Sequence, residues 1–118
     1  MTDIKQWWTN EHDRLLRLAR AAKNPMSALF DMYERYEYLT ESEKKEINQL
    51  LIDWIEDVDE DKRYTALAIA EEYNVHDAIP AMKRLCDRFK DSKIPDNPEK
   101  FYEREKIIRK IQKLEKQE

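Results

Sequence analysis

The chain has 118 residues, 41% of them charged and 41% hydrophobic, with a net charge of −4 and no glycine. Without glycine it lacks the residue that most easily supplies the positive-φ positions of tight β turns, dinucleotide-binding fingerprints and phosphate-cradling loops. The negative balance works against general nucleic-acid binding, which needs basic charge to displace counterions, and no apolar run is long enough to span a bilayer.

Helix formers dominate what remains, so the expected fold is all-α, with residues 1–118 forming one domain and 1–9 and 115–118 as frayed ends. A first helix is expected from about Asn10 to Ala22, with a possible start before Trp7. Its apolar stripe is Leu15, Leu16, Leu18, Ala19 and Ala22. Asn24-Pro25 restarts the chain as cap and first helical position. The second helix follows to about Tyr38, with Met26, Leu29, Phe30, Tyr33 and Tyr36 or Glu37 along one side.

Thr40-Glu41-Ser42-Glu43 has the form of a capping box, in which each end satisfies an orphan amide of the other. It opens a third helix whose period runs through Ile47, Leu50, Leu51, Trp54, Ile55 and Val58. After an Asp-rich turn, Asp59 or Asp61 caps the fourth helix. That helix is apolar over most of its circumference (Tyr64, Ala66, Leu67, Ala68, Ile69, Ala70 and Tyr73), which predicts a central helix covered on several sides. Asn74 to Asp77 form a corner, with Asn74 in the left-handed C-cap place.

Pro80 falls in the first turn of the fifth helix, where a missing amide costs little. Ile79, Met82, Leu85, Cys86 and Phe89 make its buried row. Lys90 to Asn97 reads as a polar linker. Asn97-Pro98 starts a last helix carrying Phe101, Ile107, Ile108, Ile111 and Leu114. Taken in order, the six helices pair into three antiparallel hairpins.

The stretch from Asp59 to Leu85 resembles HEAT-like repeats. The resemblance rests on Asp59, Asp61, Arg63, Ala66, Ala70 and Asn74, followed by the apolar-Pro-apolar opening Ala78, Ile79, Pro80, Ala81 and Met82. Asn74 stands where the family usually has glycine. The resemblance implies a short right-handed helical stack acting as a scaffold. It also implies a concave binding face lined by the second helix of each pair, here the second, fourth and sixth. Relatives that bind DNA use a basic groove.

Asp53, Glu56, Asp57, Asp59, Glu60 and Asp61 fall within nine residues with no basic residue between them. Glu56 and Asp57 sit near a helix C-terminus, where negative charge opposes the dipole. A docking surface for a basic partner is one reading of this run; a solvated, capping turn is the other. Calcium binding is disfavoured, because an EF-hand loop starting at Asp57 would put Lys62 at the glycine position and Ala68 at the bidentate glutamate.

Trp7 and Trp8 are adjacent, so both cannot face one core. Trp8 lines up with Leu15 and Ala19, which leaves Trp7 either packed over a neighbouring helix or offered as an interface anchor. Tyr38 is the tyrosine of the second helix expected to be most exposed. The last helix is basic, with Lys106, Arg109, Lys110 and Lys113 close together as a candidate anion-binding stripe or a solvated face.

No catalytic or metal-binding set emerges. His12 and His76 have no ligand spacing, Cys86 is alone, and Glu71-Glu72 are adjacent rather than on one face. No cofactor motif is present.

The expected function is therefore a non-enzymatic protein-binding module. One concrete form is a small cytoplasmic inhibitor, such as a bacterial immunity protein covering a basic surface of a toxin. The alternative is a nucleic-acid-binding repeat protein using the basic last helix. The acidic middle and basic end would also allow head-to-tail self-association.

Overall fold

The computed structural model describes residues 3–91 and 98–116, with side chains described for 3–89 and 103–116. Among these residues there are six α-helices, one short 3₁₀ turn and no strand: α1 (Ile4–Ala21), α2 (Met26–Glu37), α3 (Glu41–Ile55), α4 (Glu60–Glu72), the 3₁₀ turn His76–Ala78, α5 (Ile79–Asp91) and α6 (Pro98–Glu115). Of the expected linker Lys90 to Asn97, Lys90 and Asp91 still belong to α5, while 92–97 and the Phe101 side chain lie outside the described residues. The chain divides into two compact units, Met1–Leu50 and Leu51–Glu118.

In the first unit, α1 begins at Ile4, well before Asn10. The reason is local: the Asp3 side chain accepts from the amides of Lys5 and Gln6 and caps the helix. Its buried face is Trp8, His12, Leu15 and Ala19, at spacings of four, three and four. Leu18, expected on that stripe, is instead 57% exposed. It lies roughly 60–80° round the helix from the line through Trp8 and Leu15.

The end of α1 forms a full Schellman closure. The Asn24 amide donates to the Ala19 carbonyl at 2.8 Å and the Lys23 amide to the Arg20 carbonyl at 3.1 Å. Lys23 takes the left-handed conformation at φ 56°, a cost of about 1 kcal/mol for a residue with a Cβ. Pro25 already has helical dihedrals (φ −63°, ψ −24°). The start of α2 uses the Asn24 carbonyl, which accepts from the Ser27 amide at 3.2 Å and the Ser27 hydroxyl at 2.9 Å.

The buried face of α2 is Ala28, Leu29, Met32 and Tyr36. Of the residues expected along one side of this helix, Met26 and Phe30 are exposed, Phe30 by 60%, and Tyr33 is half-buried. Two apolar stripes overlap on this helix, and the one through Met32 is the one that meets α1. The Tyr36 ring lies edge-on to Trp8 at 6.4 Å, and its hydroxyl donates to Asn48 at 2.9 Å.

The capping box of α3 forms as expected. The Thr40 amide donates to Glu43 Oε1 at 2.9 Å, and the Glu43 amide to Thr40 Oγ1 at 3.2 Å. Ile47, Leu51, Trp54 and Ile55 are buried. Val58 is 86% exposed, because α3 stops at Ile55 and the residue falls in the turn.

In the second unit, Asp59 caps α4, accepting from the amides of Asp61 and Lys62 at 2.9 and 3.3 Å. Arg63, Thr65, Ala66, Leu67, Ile69 and Ala70 are buried, so α4 is covered around most of its circumference. Tyr64 departs from the expected apolar surround and is exposed.

Asn74 supplies the left-handed corner at φ 56°, and the Val75 amide closes it on the Ala70 carbonyl at 2.9 Å. Pro80 lies in the first turn of α5, whose Met82, Leu85, Cys86 and Phe89 are buried. That face packs on α6, which contributes Ile107, Ile111 and Leu114 and also touches α4.

Candidate functional site

The first unit brings two of the expected contact residues together. Trp7 and Tyr38 line one open cleft of about 420 Å³ with Ile4, Glu34, Arg35, Leu39 and Glu43. Trp7 projects from α1 off the buried line of Trp8, and the two indoles meet at 6.5 Å. Tyr38, the C-cap residue of α2, is 81% exposed. Trp7 is only half-buried, so a large aromatic wall and a free phenol face solvent side by side.

The polar part of the cleft is held by an ion-pair network. Glu11 accepts a two-pronged contact from Arg14, at 3.1 and 2.9 Å, and a further hydrogen bond from Arg35 Nε at 2.8 Å. Arg35 also donates to the Asp31 carbonyl at 3.3 Å. These bonds fix the guanidinium that lines the cleft. Hydrogen bonds from Arg14 and Arg35 outweigh partial burial and hold the Glu11 carboxyl at about 2, well below its ordinary 4.5.

A carboxyl depressed in the folded state adds stability above the unfolded pKa and loses it as pH falls through the folded one. The Glu11 contribution is therefore complete above about 4.5 and gone near 2. Solvent screening of the half-exposed Arg14 arm reduces it to roughly 1–2 kcal/mol. Urea titrations across this pH range should show Glu11→Gln less stable than the wild type at neutral pH, with the gap closing toward pH 2. A gap that persists at pH 2 would show that the loss comes from packing rather than from charge.

The acidic run is largely occupied within its own unit. Glu56 accepts a fork from Arg84 at 2.9 and 3.0 Å, and its carbonyl accepts from Arg88 at 2.8 Å. Arg84 thus answers the unfavourable charge at the end of α3. Its hydrogen bond is the main reason the Glu56 carboxyl lies below its ordinary range. Asp57 accepts from the Asp59 amide at 2.8 Å, and Asp59 is the α4 cap. Glu60 reaches Arg63 at 4.0 Å. Asp61 is half-buried, and Asp53 is exposed beside this turn.

The basic stripe is also gathered. Lys106, Arg109, Lys110 and Lys113 of α6 line a smaller cleft of about 240 Å³ with Glu71 of α4. Glu71 pairs with Lys110 and, at 3.5 Å, with Lys113. Burial pushes the Glu71 carboxyl up, but the hydrogen bonds and charges of the two lysines prevail and hold it low.

The remaining reactive groups have structural surroundings. His12 is buried on α1, with Nδ1 3.9 Å from Asp13. His76 Nε2 lies 3.0 Å from the Leu114 carbonyl, which fixes that nitrogen as the donor. Burial pushes the Cys86 thiol up despite nearby Arg104, leaving a poor nucleophile.

Sequence reasoning missed Ile4, Glu34, Arg35, Leu39 and Glu43 as cleft residues and Glu71 as the partner of the basic stripe. Glu43 carries a cap signal and Leu39 adjoins Tyr38, but no local signal links Arg35 to Glu11 or Glu71 to Lys110. No described helix is long and apolar enough to cross a membrane. Comparison with protein-family models, curated proteins and solved structures finds no match.

Proposed function

We propose that this chain is a non-enzymatic, cytoplasmic protein-binding module, a HEAT-like stack of three helix hairpins that receives a partner in the Trp7–Tyr38 cleft. The observation that carries the reading is the cleft itself: an 81% exposed tyrosine beside a half-buried tryptophan, on a rim braced by Glu11 and Arg35. Aromatic side chains at such positions are the usual anchors of protein interfaces. Glu34 and Glu43 on the rim suit a partner that presents an apolar side chain flanked by basic groups. An inhibitor covering a basic surface, as an immunity protein does, is the concrete form of this reading.

The acidic turn has a smaller part in it than its composition suggests. Glu56, Asp57 and Asp59 already make internal contacts, so Asp53 and the exposed Glu60, which approaches Arg63 at 4.0 Å, are the carboxylates best placed to meet a partner there. The nucleic-acid reading has less support, because Glu71 engages two of the four cations of the basic stripe.

The test is capture of proteins from the source cells on the immobilised chain, beside its Tyr38→Ala variant. Because Tyr38 is exposed, the variant keeps its fold. One protein retained in near-equimolar amount by the wild type and depleted about tenfold or more by Tyr38→Ala is the expected result. Equal retention on both chains overturns the proposal.

A further inference from the structure

The basic cleft of the second unit has a charge balance that folding does not explain. Its four cations stand at positions 106, 109, 110 and 113, one stripe of α6 at spacings of three, one and three. Like charges three and four apart on a helix destabilise it slightly. Glu71 relieves Lys110 and Lys113. Lys106 and Arg109 pair with no carboxylate among the described residues. Four positive charges against one negative leave a local +3 on a chain whose net charge is −4.

We infer that this cleft, formed by Lys106, Arg109, Lys110 and Lys113 of α6 around Glu71 of α4, is a binding site for a small compact polyphosphate carrying two or three phosphates.

Size and charge choose the ligand. The stripe spans about 10 Å along the helix, enough for two or three adjacent phosphates. Duplex DNA binding commonly rests on roughly 6–10 phosphate contacts, which one short stripe cannot supply, and the negative charge of the rest of the chain repels an extended polyanion. Arg109 offers a planar fork that matches phosphate oxygens in pairs, while Lys106 serves as a compact point charge. All four cations stand on α6, so the phosphates lie along that stripe with Glu71 of α4 beside them.

Glu71 gives the site its characteristic response. It holds Lys110 and Lys113 at the cleft, and it also competes with the ligand for them. An entering phosphate draws these two ammonium groups partly away from the carboxylate. Removing the Glu71 charge therefore frees two cations and raises the local balance to +4, which strengthens binding. A carboxylate serving only as scaffold would give the opposite result.

The experiment is isothermal titration calorimetry of the full chain with inorganic tripolyphosphate at near-physiological salt. Saturable one-site binding is expected. Lys106→Ala combined with Arg109→Ala should weaken it by about tenfold or more; both residues are exposed, and circular dichroism checks that the fold is kept. Glu71→Gln should tighten it several-fold. A charge-matched control, Arg17→Ala with Lys45→Ala, should leave it within about twofold. The proposal is overturned if no saturation occurs, if the control weakens binding as much as the cleft variant, or if Glu71→Gln weakens it. It is also overturned if a short DNA duplex binds more tightly than tripolyphosphate through the same residues.

Discussion

Trp8→Ala should cost about 3–5 kcal/mol of stability, whereas Trp8→Phe should cost much less, under about 1.5 kcal/mol. Trp8 is fully buried at 0% exposure and packs edge-on against Tyr36. Truncation to alanine removes the whole ring from the α1–α2 core and leaves a cavity that two helices cannot close without moving. Phenylalanine keeps an aromatic edge for Tyr36 and removes a liability. The Trp8 indole N–H is buried without a hydrogen-bond partner among the described residues, and such a donor costs about 1–3 kcal/mol of desolvation. That gain offsets much of the lost ring area. Urea unfolding followed by circular dichroism would separate the two variants. Equal losses would mean that the indole nitrogen is satisfied in solution.

The same residue shows what a sequence reveals about a core. Trp8 could be placed on the line of Leu15 and Ala19 because three- and four-residue spacings set a face. The exposed set, Leu18, Met26 and Phe30, could not be told from the buried one so easily. Both stripes on α2 are apolar, and periodicity cannot say which of them a neighbouring helix will cover. Val58 failed for a different reason: its spacing continues the α3 pattern, but the helix ends before it. Signals that act within a few residues were far more legible. The Thr40–Glu43 box, the Asp59 cap, the Asn74 corner and Pro80 in the first turn of α5 all stand where the chain alone places them.

Function was less legible, because charge partners are distant in sequence. Glu56 and Arg84 are 28 residues apart, and Glu71 and Lys110 are 39 apart. Read along the chain, Glu56 belongs to an acidic run and Lys110 to a basic one, so each looks like surface charge awaiting a partner. Folding brings each to an opposite charge and changes which residues remain for a ligand. Trp7 and Tyr38 show the converse. In the sequence they are two unrelated aromatics, Trp7 open to either packing or interface and Tyr38 expected exposed, and packing of α2 on α1 places them in one cleft.

Arg63→Ala should lower stability by about 2–3 kcal/mol, with Arg63→Met intermediate. Arg63 is the charged residue on which the HEAT-like resemblance leans, and it is buried in the first turns of α4. Its guanidinium does three things at once. It lies 5.5 Å from the centre of the Phe89 ring of α5, a contact worth about 0.5–2 kcal/mol when partly desolvated. It reaches back to the Asp57 carbonyl at 3.4 Å, a long bond near the lower end of the range for a charged donor. It also approaches Glu60 at 4.0 Å, a surface pair that adds little. Its hydrocarbon stem is buried together with the charge.

Methionine keeps the stem and loses the charge, so the difference between the two variants isolates what the guanidinium does for the turn. Hydrogen exchange at the Asp59 and Asp61 amides reports that turn directly: Arg63→Met should speed exchange there while leaving the α1 amides unchanged. A loss below about 0.5 kcal/mol for Arg63→Ala would remove Arg63 from the architecture. The acidic turn would then owe its shape to the Asp57 and Asp59 side chains alone.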